Sequence, residues 1–570
     1  MNIRTFHAAV VLCALAFAGV TVLPHALQRH DAQYPFRGVE IMAADAEIHY
    51  TARMREIYDG FWQTGNTFYS EPKDQPYLQP PFPEMVPATI ARWTHQDPVL
   101  TFTVFSGVSA LFLVVIMTGA LTALTGAAWE SLLAVCALLF AGFLLGAPWD
   151  LGRFLAGAGA FEPLRFTRPI NPLWTAPWFF AAVWLAALWV RGRRGALAAC
   201  VLPLTILVYS YVYAWSYLAV ALGLLTLWYA CRRDWPRVKD LCLCGAVTGA
   251  LSLPYVLHLL ETMKNPLYAD SALRLGLSVS HTPVLGVWVV IGLAVVAAAR
   301  KRWSATWPLV AALIIGGILA MNQHVLTGKF IVPHHYHWYF FHPLASMLAM
   351  VFVLQWAGRL QFGGKHCVVA GALLVAVIFG VRYQELSYVT VRGYWGEQQK
   401  LAPVLDYFAE NLHAGQVVYS PDIDVMDLTP IYSSADVYAA SNANNYLVPM
   451  ERARNVFFFD LWVSGFSAAQ AEKEFPTTMR AKLGSALYAI YFREQYGNYN
   501  AVPDDVIVKT LVAYRQYLLL SPRDKIFLYP IDAVVLPDGV KETEAIAFLK
   551  KNSDQVFASE GYTVRMMKAR

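Results

Sequence analysis

The sequence predicts a polytopic α-helical membrane protein with a C-terminal α/β domain. Of the 570 residues, 57% are hydrophobic and only 15% are charged, and the mean hydropathy is +0.42. This composition is too apolar for an ordinary soluble protein. Apolar runs recur as far as about residue 383, whereas a globular composition begins at about residue 394. We therefore predict a membrane domain at residues 1–385 and a globular domain at residues 386–570.

Eleven apolar runs predict membrane-spanning helices, because each is about long enough to cross a bilayer. They lie at about residues 7–23, 99–123, 128–147, 173–190, 196–213, 214–231, 240–260, 283–299, 305–321, 340–357 and 366–383. The first run resembles a secretory signal in its position. No clear small-residue cleavage site follows it, so we interpret it as a signal anchor.

The distribution of basic residues predicts the orientation in the membrane. Short loops rich in Lys and Arg lie at residues 191–194, 232–239, 300–302 and 359–365, and the positive-inside rule places them in the cytoplasm together with the N-terminus. The extracytoplasmic segments are then residues 24–98, 148–172, 262–282 and 322–340, and the C-terminal domain. We expect a bacterial inner-membrane protein. Large loops with charged and aromatic residues on one side predict a site there.

Several classes of function are disfavoured by the sequence. The net charge of +5 is small and gives no reason to expect nucleic-acid binding. The seven cysteines lie in or beside apolar runs, with no metal-binding or disulfide spacing. No nucleotide-binding glycine loop or G-x-S-x-G motif occurs, so no nucleotide cofactor is expected. Energy for an extracytoplasmic synthesis must then come with the substrate, for instance as a lipid-linked phosphate ester.

A polar stretch in the first outer segment contains Asp45, Glu47, His49 and Arg53. On a helix, Asp45, His49 and Arg53 recur at i, i+4 and i+8 and share one face. Asp45 lies in the first turn of that helix, where the helix dipole favours a carboxylate. Asp45 and Glu47 are candidates for a general base or for ligands of a divalent cation. The alternative is a solvated amphipathic helix.

Basic residues on the outer side point to an anionic ligand. Arg153, Arg165, Arg168 and Lys329 lie there against the positive-inside preference, and arginine binds phosphate in a bidentate manner. The alternative is ordinary surface charge.

Histidines cluster in the last outer segment, at His324, His334, His335 and His337. Their spacing does not match a zinc site. We interpret them, with the neighbouring aromatic residues, as hydrogen-bonding groups for a lipid head group.

These motifs resemble a known family. Asp45-Ala-Glu-Ile-His49-Tyr-Thr-Ala-Arg53 resembles the D-x-x-x-[HY]-x-x-x-R pattern in the first outer loop of the GT-C superfamily of polytopic glycosyltransferases, including oligosaccharyltransferase catalytic subunits. Asp150 is similar in placement to the second acidic motif, and residues 322–328 to a later substrate loop. The resemblance covers residues 1–385 and implies a polyprenyl-phosphate or polyprenyl-diphosphate sugar donor. No Trp-Trp-Asp-Tyr-Gly acceptor motif occurs, and Asp150 has no adjacent acid, which leaves metal dependence open.

The predicted function is therefore a membrane glycosyltransferase that moves a sugar from a polyprenyl-phosphate donor to an extracytoplasmic glycan, lipid or protein, by an inverting single displacement. Asp45 is the predicted base, supported by Glu47 and His49. The predicted substrate- and phosphate-binding residues are Arg53, Arg153, Arg165, Arg168, His324, Lys329, His335 and His337. A Mg²⁺ or Mn²⁺ ion on Asp45 and Asp150 is the alternative way to neutralise the phosphate. The lipid tail of the donor is predicted to lie in a groove between the spans, and membrane lipids are further expected partners.

Two other classes of function stay open. One is a flippase or transporter of lipid-linked saccharides. Transporters typically have ionisable residues near mid-membrane and internal repeats, whereas in this sequence the ionisable residues concentrate in the outer segments and no repeat is found. The other is a non-catalytic envelope-assembly protein, in which the C-terminal domain is the functional part. That domain is predicted to contain helices at residues 397–412 and near 449–463, 503–519 and 541–551, and strands at 416–420, 533–536 and near 560–566. It either acts as a scaffold or selects the acceptor.

Overall fold

The computed structural model describes residues 3–44, 46–71, 73–357 and 365–568. Its first two thirds are mostly helical. The helices there are Ile3–Arg29, Glu47–Tyr58, Phe82–Thr94, Pro98–Thr125, Ala128–Ala141, Phe143–Gly146, Leu151–Ala156, Thr175–Val190, Gly195–Val208, Val212–Cys231, Trp235–Leu251, Leu253–Thr262, Tyr268–Arg274, Val287–Ala299, Trp307–Met321, His324–Thr327, His334–Tyr336, His342–Ala357 and Lys365–Gln398. Two 3₁₀ turns, Pro148–Asp150 and Arg165–Thr167, and a π-helical turn, His337–Phe341, complete this part.

The chain is an integral membrane protein by the length and composition of its helices. In the described ranges, six apolar helical segments of at least 18 residues are found: Ile3–Arg29, Pro98–Thr125, Val212–Cys231, Trp307–Thr327, His334–Ala357 and Cys367–Asn411. Helices Trp235–Leu251 and Leu253–Thr262 make a seventh if they are one span bent by 54°. Pro254 follows that bend and has no backbone N–H to continue the helical hydrogen bonds.

The remaining predicted runs correspond to shorter apolar helices, Ala128–Ala141, Thr175–Val190, Gly195–Val208 and Val287–Ala299. Each of the eleven predicted runs is thus helical, but six or seven satisfy the criteria for a span. The count of eleven spans stays a prediction, as does the orientation. Most of the predicted cytoplasmic loop 359–365 lies outside the described residues.

Close helix packing in the membrane part depends on small residues. A Cβ atom at Gly316 would lie 2.7 Å from the Cα atom of Ala221, so helices Trp307–Met321 and Val212–Cys231 approach at backbone distance. Small residues permit this approach, which increases van der Waals contact where the hydrophobic effect contributes little. Aromatic contacts fill the wider spaces, such as Phe17 against the edge of Phe140 at a centroid distance of 5.3 Å.

The C-terminal part contains a mixed five-stranded sheet in the order β4-β3-β5-β7-β6. Its strands are β3 Val417–Tyr419, β4 Asp436–Val437, β5 Ala533–Pro537, β6 Ser553–Ser559 and β7 Tyr562–Met567, and a small separate ladder pairs β1 Leu277–Val279 with β2 Lys329–Ile331. Strand β3 is parallel to β4 and β5, whereas β7 is antiparallel to β5 and β6. The helices are Ala402–Asn411, Ile423–Tyr432, Met450–Val463, Ala468–Glu474, Arg480–Tyr488, Tyr491–Tyr496, Asp504–Leu518, Pro522–Phe527 and Glu544–Lys551, with 3₁₀ turns Gln399–Leu401 and Ala443–Asn445.

The first outer segment shares the hydrophobic core of this C-terminal part. Val39, Ile41, Ala52 and Phe68 pack in the same cluster as the sheet residues, and the backbone N–H of Val437 donates to the carbonyl of Phe68 at 2.8 Å. Helix Lys365–Gln398 leads from the membrane part directly into this unit. The predicted domain boundary at residue 385 therefore falls within a continuous helix.

Candidate functional site

A cavity of about 430 Å³ lies where three of the predicted outer segments meet. It is lined by Ala43, Ala44, Leu138, Leu139, Gly142, Phe143, Glu162, Pro163, Leu164, Arg165, Phe166, Arg168, Trp338, Tyr339, His342 and Tyr383. These residues come from the first outer segment, the segment around residue 165, the π-helical turn with the following His342, the apolar stretch at residues 138–143, and the long helix that carries Tyr383. Segments far apart in sequence thus contribute to one site.

Arg165 is the most accessible cation of the cavity. Its guanidinium lies over the ring of Trp338, 4.1 Å from the centroid. Within the described ranges it makes no hydrogen bond. The side chain is reached by solvent through the cavity, but protein surrounds it on most sides. This desolvation lowers the pKa of the Arg165 guanidinium below its ordinary value. The stacked, partly desolvated cation is suited to binding an anion.

Arg168 is fixed beside Arg165 by aromatic residues. It donates a hydrogen bond to the hydroxyl of Tyr339, and its guanidinium carbon lies 5.6 Å from the ring centroid of Tyr339 and 6.0 Å from that of Tyr50. The chain then turns at Ile170, whose φ of +61° lies in the left-handed region. That conformation is strained for a β-branched residue.

The π-helical turn His337–Phe341 forms another wall. It lies between helices His334–Tyr336 and His342–Ala357, and its wider spacing brings Trp338, Tyr339 and His342 to the cavity. Single π-helical turns inside α-helices occur frequently at functional sites.

An apolar patch also lines this cavity. Leu138, Leu139, Gly142 and Phe143 line it at the end of an apolar helix, and Phe143 stacks on Tyr383 at a centroid distance of 4.3 Å. Leu138 and Leu139 belong to the membrane core cluster. The lining of the cavity therefore combines two arginines and a glutamate with an apolar patch.

The acidic stretch borders the cavity through Ala43 and Ala44. Asp45, the predicted base, lies outside the described residues, so its role stays a prediction. The helix begins at Glu47, whereas the predicted face of Asp45, His49 and Arg53 requires a helix that begins two residues earlier. Glu47 accepts a hydrogen bond from the backbone N–H of Ala44 at 3.0 Å. Burial raises the pKa of Glu47 to about 6.

His49 and Arg53 lie in the interior of the first outer segment and not on the cavity. The ring centroid of His49 is 5.6 Å from that of Tyr446, and burial lowers its pKa to about 3. Arg53 donates to the carbonyl of Gln79 at 2.9 Å, and its Nε lies 3.4 Å from Glu84. Both side chains are at most 4% exposed. Their i, i+4 spacing on a helix is as predicted, but this face is covered by protein, so neither residue is placed to contact a phosphate.

The predicted residues Asp150 and Arg153 pair with each other at 3.4 Å on the exposed surface. His324 is buried, and its Nε2 donates to the carbonyl of Thr282 at 2.8 Å. Lys329 is exposed on strand β2. None of these residues lines the cavity, so the structure does not bring them together with Arg165.

The two remaining predicted histidines lie close to the cavity without lining it. His335 shares a hydrogen bond with the hydroxyl of Tyr211, and the ring of His337 contacts Trp338 at a centroid distance of 4.7 Å. Among the residues that the structure describes, no three His, Cys, Asp or Glu side chains form a group able to bind a metal ion.

Sequence reasoning missed Glu162, His342 and Tyr383 as cavity residues. A signal for Glu162 was available, because it stands three positions before Arg165. His342 is a histidine inside an apolar run, which is itself a mark of a site. No local signal distinguishes Tyr383 from the other aromatic residues.

Among known proteins, similarity to this chain is found in solved structures. No family model matches the chain, and no curated protein matches it. The chain is similar in structure to the arabinofuranosyltransferase AftD from Mycobacteria, solved by single-particle cryo-electron microscopy, with a TM-score of 0.45 and 14% sequence identity. The match covers 100% of this chain and 42% of that chain, so the chain spans less than half the length of this neighbour.

Proposed function

We propose that the chain is a membrane glycosyltransferase that moves a sugar from a polyprenyl-phosphate donor to an extracytoplasmic glycan, lipid or protein. One observation carries the proposal. A single cavity is lined by Arg165, Arg168 and apolar residues, and it borders the acidic stretch at Ala44. A lipid-linked sugar phosphate has the matching chemistry, with an anion between an apolar chain and a sugar.

The arginines supply the phosphate site. Arginine forms paired, charge-assisted hydrogen bonds with phosphate oxygens, and such donors stabilise the negative charge that develops on a leaving phosphate. In the proposal, Leu138, Leu139 and Phe143 of the cavity lining contact the first isoprenyl units. The volume of about 430 Å³ lies within the range of small-molecule sites, roughly 300–1,000 Å³.

In the proposed reaction, Asp45 removes the proton from an acceptor hydroxyl. The hydroxyl oxygen attacks the anomeric carbon, while the bond from that carbon to the phosphate oxygen breaks and its electron pair leaves with the phosphate. One displacement of this kind inverts the anomeric configuration. Asp150, the described member of the predicted cation site, pairs with Arg153 on the surface and does not fit a cavity-bound ion. The proposed reaction therefore has no step at a metal ion.

The test compares Arg165→Gln with the matched control Arg153→Gln, which changes an exposed arginine of the same outer segment. Purified protein in nanodiscs is incubated with a panel of polyprenyl-phosphate sugars and candidate acceptors. Loss of one charge-stabilising donor is expected to lower kcat/KM by about 10²–10³-fold in Arg165→Gln. Arg153→Gln is expected to remain within about twofold of wild type, since exposed ion pairs contribute little.

Asp45→Asn is expected to lower kcat by about 10²–10⁴-fold, the usual contribution of a general base. Transfer at wild-type rates by both Asp45→Asn and Arg165→Gln would refute the proposed mechanism. Movement of the donor across vesicle membranes without any transfer would favour the flippase instead.

A further inference from the structure

Glu162 lines the cavity together with the two arginines. The side chain is exposed to the cavity and interacts electrostatically with Arg165 and Tyr383. In the part of the chain that the structure describes, Glu162 accepts no side-chain hydrogen bond and forms no ion pair. A carboxylate without a direct hydrogen-bonded or ion-paired partner among the described residues is thus placed beside the proposed phosphate site.

The backbone around Glu162 is fixed by the long helix Lys365–Gln398. On one side, the N–H of Phe161 donates to the hydroxyl of Thr390 at 3.1 Å. On the other side, the N–H of Leu164 donates to Oε1 of Gln384 at 3.0 Å. Gln384 is 1% exposed and also donates to the carbonyl of Val20 at 3.3 Å. The protein therefore fixes the position of Glu162 but leaves its carboxylate available, as in a preorganised binding site.

The chemistry of a carboxylate beside a phosphate site restricts the ligand. An ionised carboxylate only accepts hydrogen bonds, and its two oxygens can accept from two neighbouring hydroxyls. It repels a phosphate, whereas Arg165 and Arg168 attract one. A ligand that satisfies both kinds of group has an anionic phosphate and, next to it, a group rich in hydroxyls.

From this placement we infer that Glu162 is a specificity-determining residue that accepts hydrogen bonds from the sugar hydroxyls of the donor. The inference rests on the proposed function, because the sugar is that of the polyprenyl-phosphate donor. The two charges of this segment then have separate roles. Arg165 binds the phosphate, and Glu162 distinguishes a phosphate that carries a neutral sugar with free hydroxyls from a phosphate that carries no sugar.

The test measures equilibrium binding to the full chain in nanodiscs. The probes are citronellyl phosphate and a panel of citronellyl phosphates that carry neutral pentoses or hexoses, and quenching of tryptophan fluorescence reports binding near Trp338. The variant is Glu162→Gln. The matched control is Glu385→Gln, an exposed glutamate that pairs with Arg382 at 2.8 Å and does not line the cavity.

Glu162→Gln is expected to move the two kinds of probe in opposite directions. The best sugar-bearing probe should bind about 10–100-fold more weakly, because hydrogen bonds to a charged acceptor are lost. The sugar-free probe should bind about 2–5-fold more tightly, because a like charge has been removed. Glu385→Gln should change neither value.

Equal weakening of both probes by Glu162→Gln would assign it a structural role and overturn the inference. The same conclusion follows if sugar-bearing probes bind unchanged, or if wild type binds none of them more tightly than the sugar-free probe. Opposite shifts without any measurable transfer would leave the sugar-binding role standing and overturn the proposed transferase. Transfer by wild type together with unchanged probe binding in Glu162→Gln would support the transferase and overturn the sugar-binding role of Glu162. If wild type binds no probe, both the transferase and the sugar-binding role are overturned.

Discussion

Lys73 is expected to stabilise the packing of the first outer segment against the C-terminal part. Its Nζ lies 2.8 Å from Glu56 and 2.7 Å from Asp436, and the three side chains are at most 13% exposed. Lys73→Met keeps most of the side-chain volume but leaves two buried carboxylates without their cation. Removing one partner of a buried ion pair costs about 3–5 kcal/mol. We therefore expect a loss of this size in the free energy of unfolding at pH 8.

The loss should depend on pH. Burial, opposed by the charge of Lys73, raises the pKa of Glu56 to about 7, and burial also raises the pKa of Asp436. A carboxyl whose pKa is higher in the folded than in the unfolded state stabilises the fold when it is protonated. This contribution is complete below the unfolded pKa, which is near 4.5 for Glu56. It is lost as the pH rises through the folded pKa of about 7. At pH 5 most Glu56 carboxyls are protonated in the folded protein, so removing Lys73 should cost roughly half as much as at pH 8.

The measurement is the apparent unfolding temperature of the full chain in nanodiscs at pH 5 and pH 8, followed by tryptophan fluorescence. The unfolding temperature of Lys73→Met at pH 8 is expected to be about 6–20 °C lower than that of wild type, the range for a domain of roughly 150–250 residues. Lys73→Met/Glu56→Gln/Asp436→Asn should recover part of this decrease, because the uncompensated charges are gone. The control Lys509→Met removes an exposed pair with Asp505 and should shift neither temperature. Equal decreases at both pH values, or none at pH 8, would refute the reasoning.

Two further predictions use the same measurement. Burial lowers the pKa of His49 to about 3, so this residue costs stability as the pH falls below its unfolded pKa near 6.5. His49→Phe should therefore raise the unfolding temperature more at pH 5 than at pH 8. A lower unfolding temperature at both pH values would contradict this prediction. A Cβ at Gly396 would lie 2.2 Å from Cδ1 and 2.4 Å from Cγ of Tyr34, so Gly396→Ala should cost about 1–3 kcal/mol through overpacking. Gly371→Ala in the same helix meets nothing within 4 Å and should stabilise by about 0.5–1 kcal/mol; equal effects of the two substitutions would contradict the packing.

The secondary structure was largely predictable. Every predicted apolar run is helical, and the predicted strands and helices of the C-terminal part are present. Strand β6, Ser553–Ser559, was missed because most of its residues are exposed and show no apolar alternation. It is stabilised by its pairing with β7. The π-helical turn was also missed, because its sequence, His337–Phe341, has no signature that separates it from an ordinary helix.

The candidate site was predictable in part. Positive charge on the predicted outer side, against the positive-inside preference, pointed to Arg165 and Arg168, and both line the cavity. Spacing placed His49 and Arg53 correctly on one helix, but spacing does not determine which surface covers that helix. Arg53 contacts Gln79 and Glu84, and these neighbours come from a segment whose approach depends on the tertiary fold.

By itself, the sequence determined that the chain belongs in a membrane, where its apolar helices lie and which outer segments carry unusual charge. Hydropathy and charge are local properties, so they can be recognised within a window of about twenty residues. Only the tertiary structure decided which charges meet. Arg168 and Tyr339, 171 positions apart, share one cavity wall, whereas Arg153 stays on the surface. Such contacts depend on how distant helices pack, and packing selects among faces that look alike in sequence.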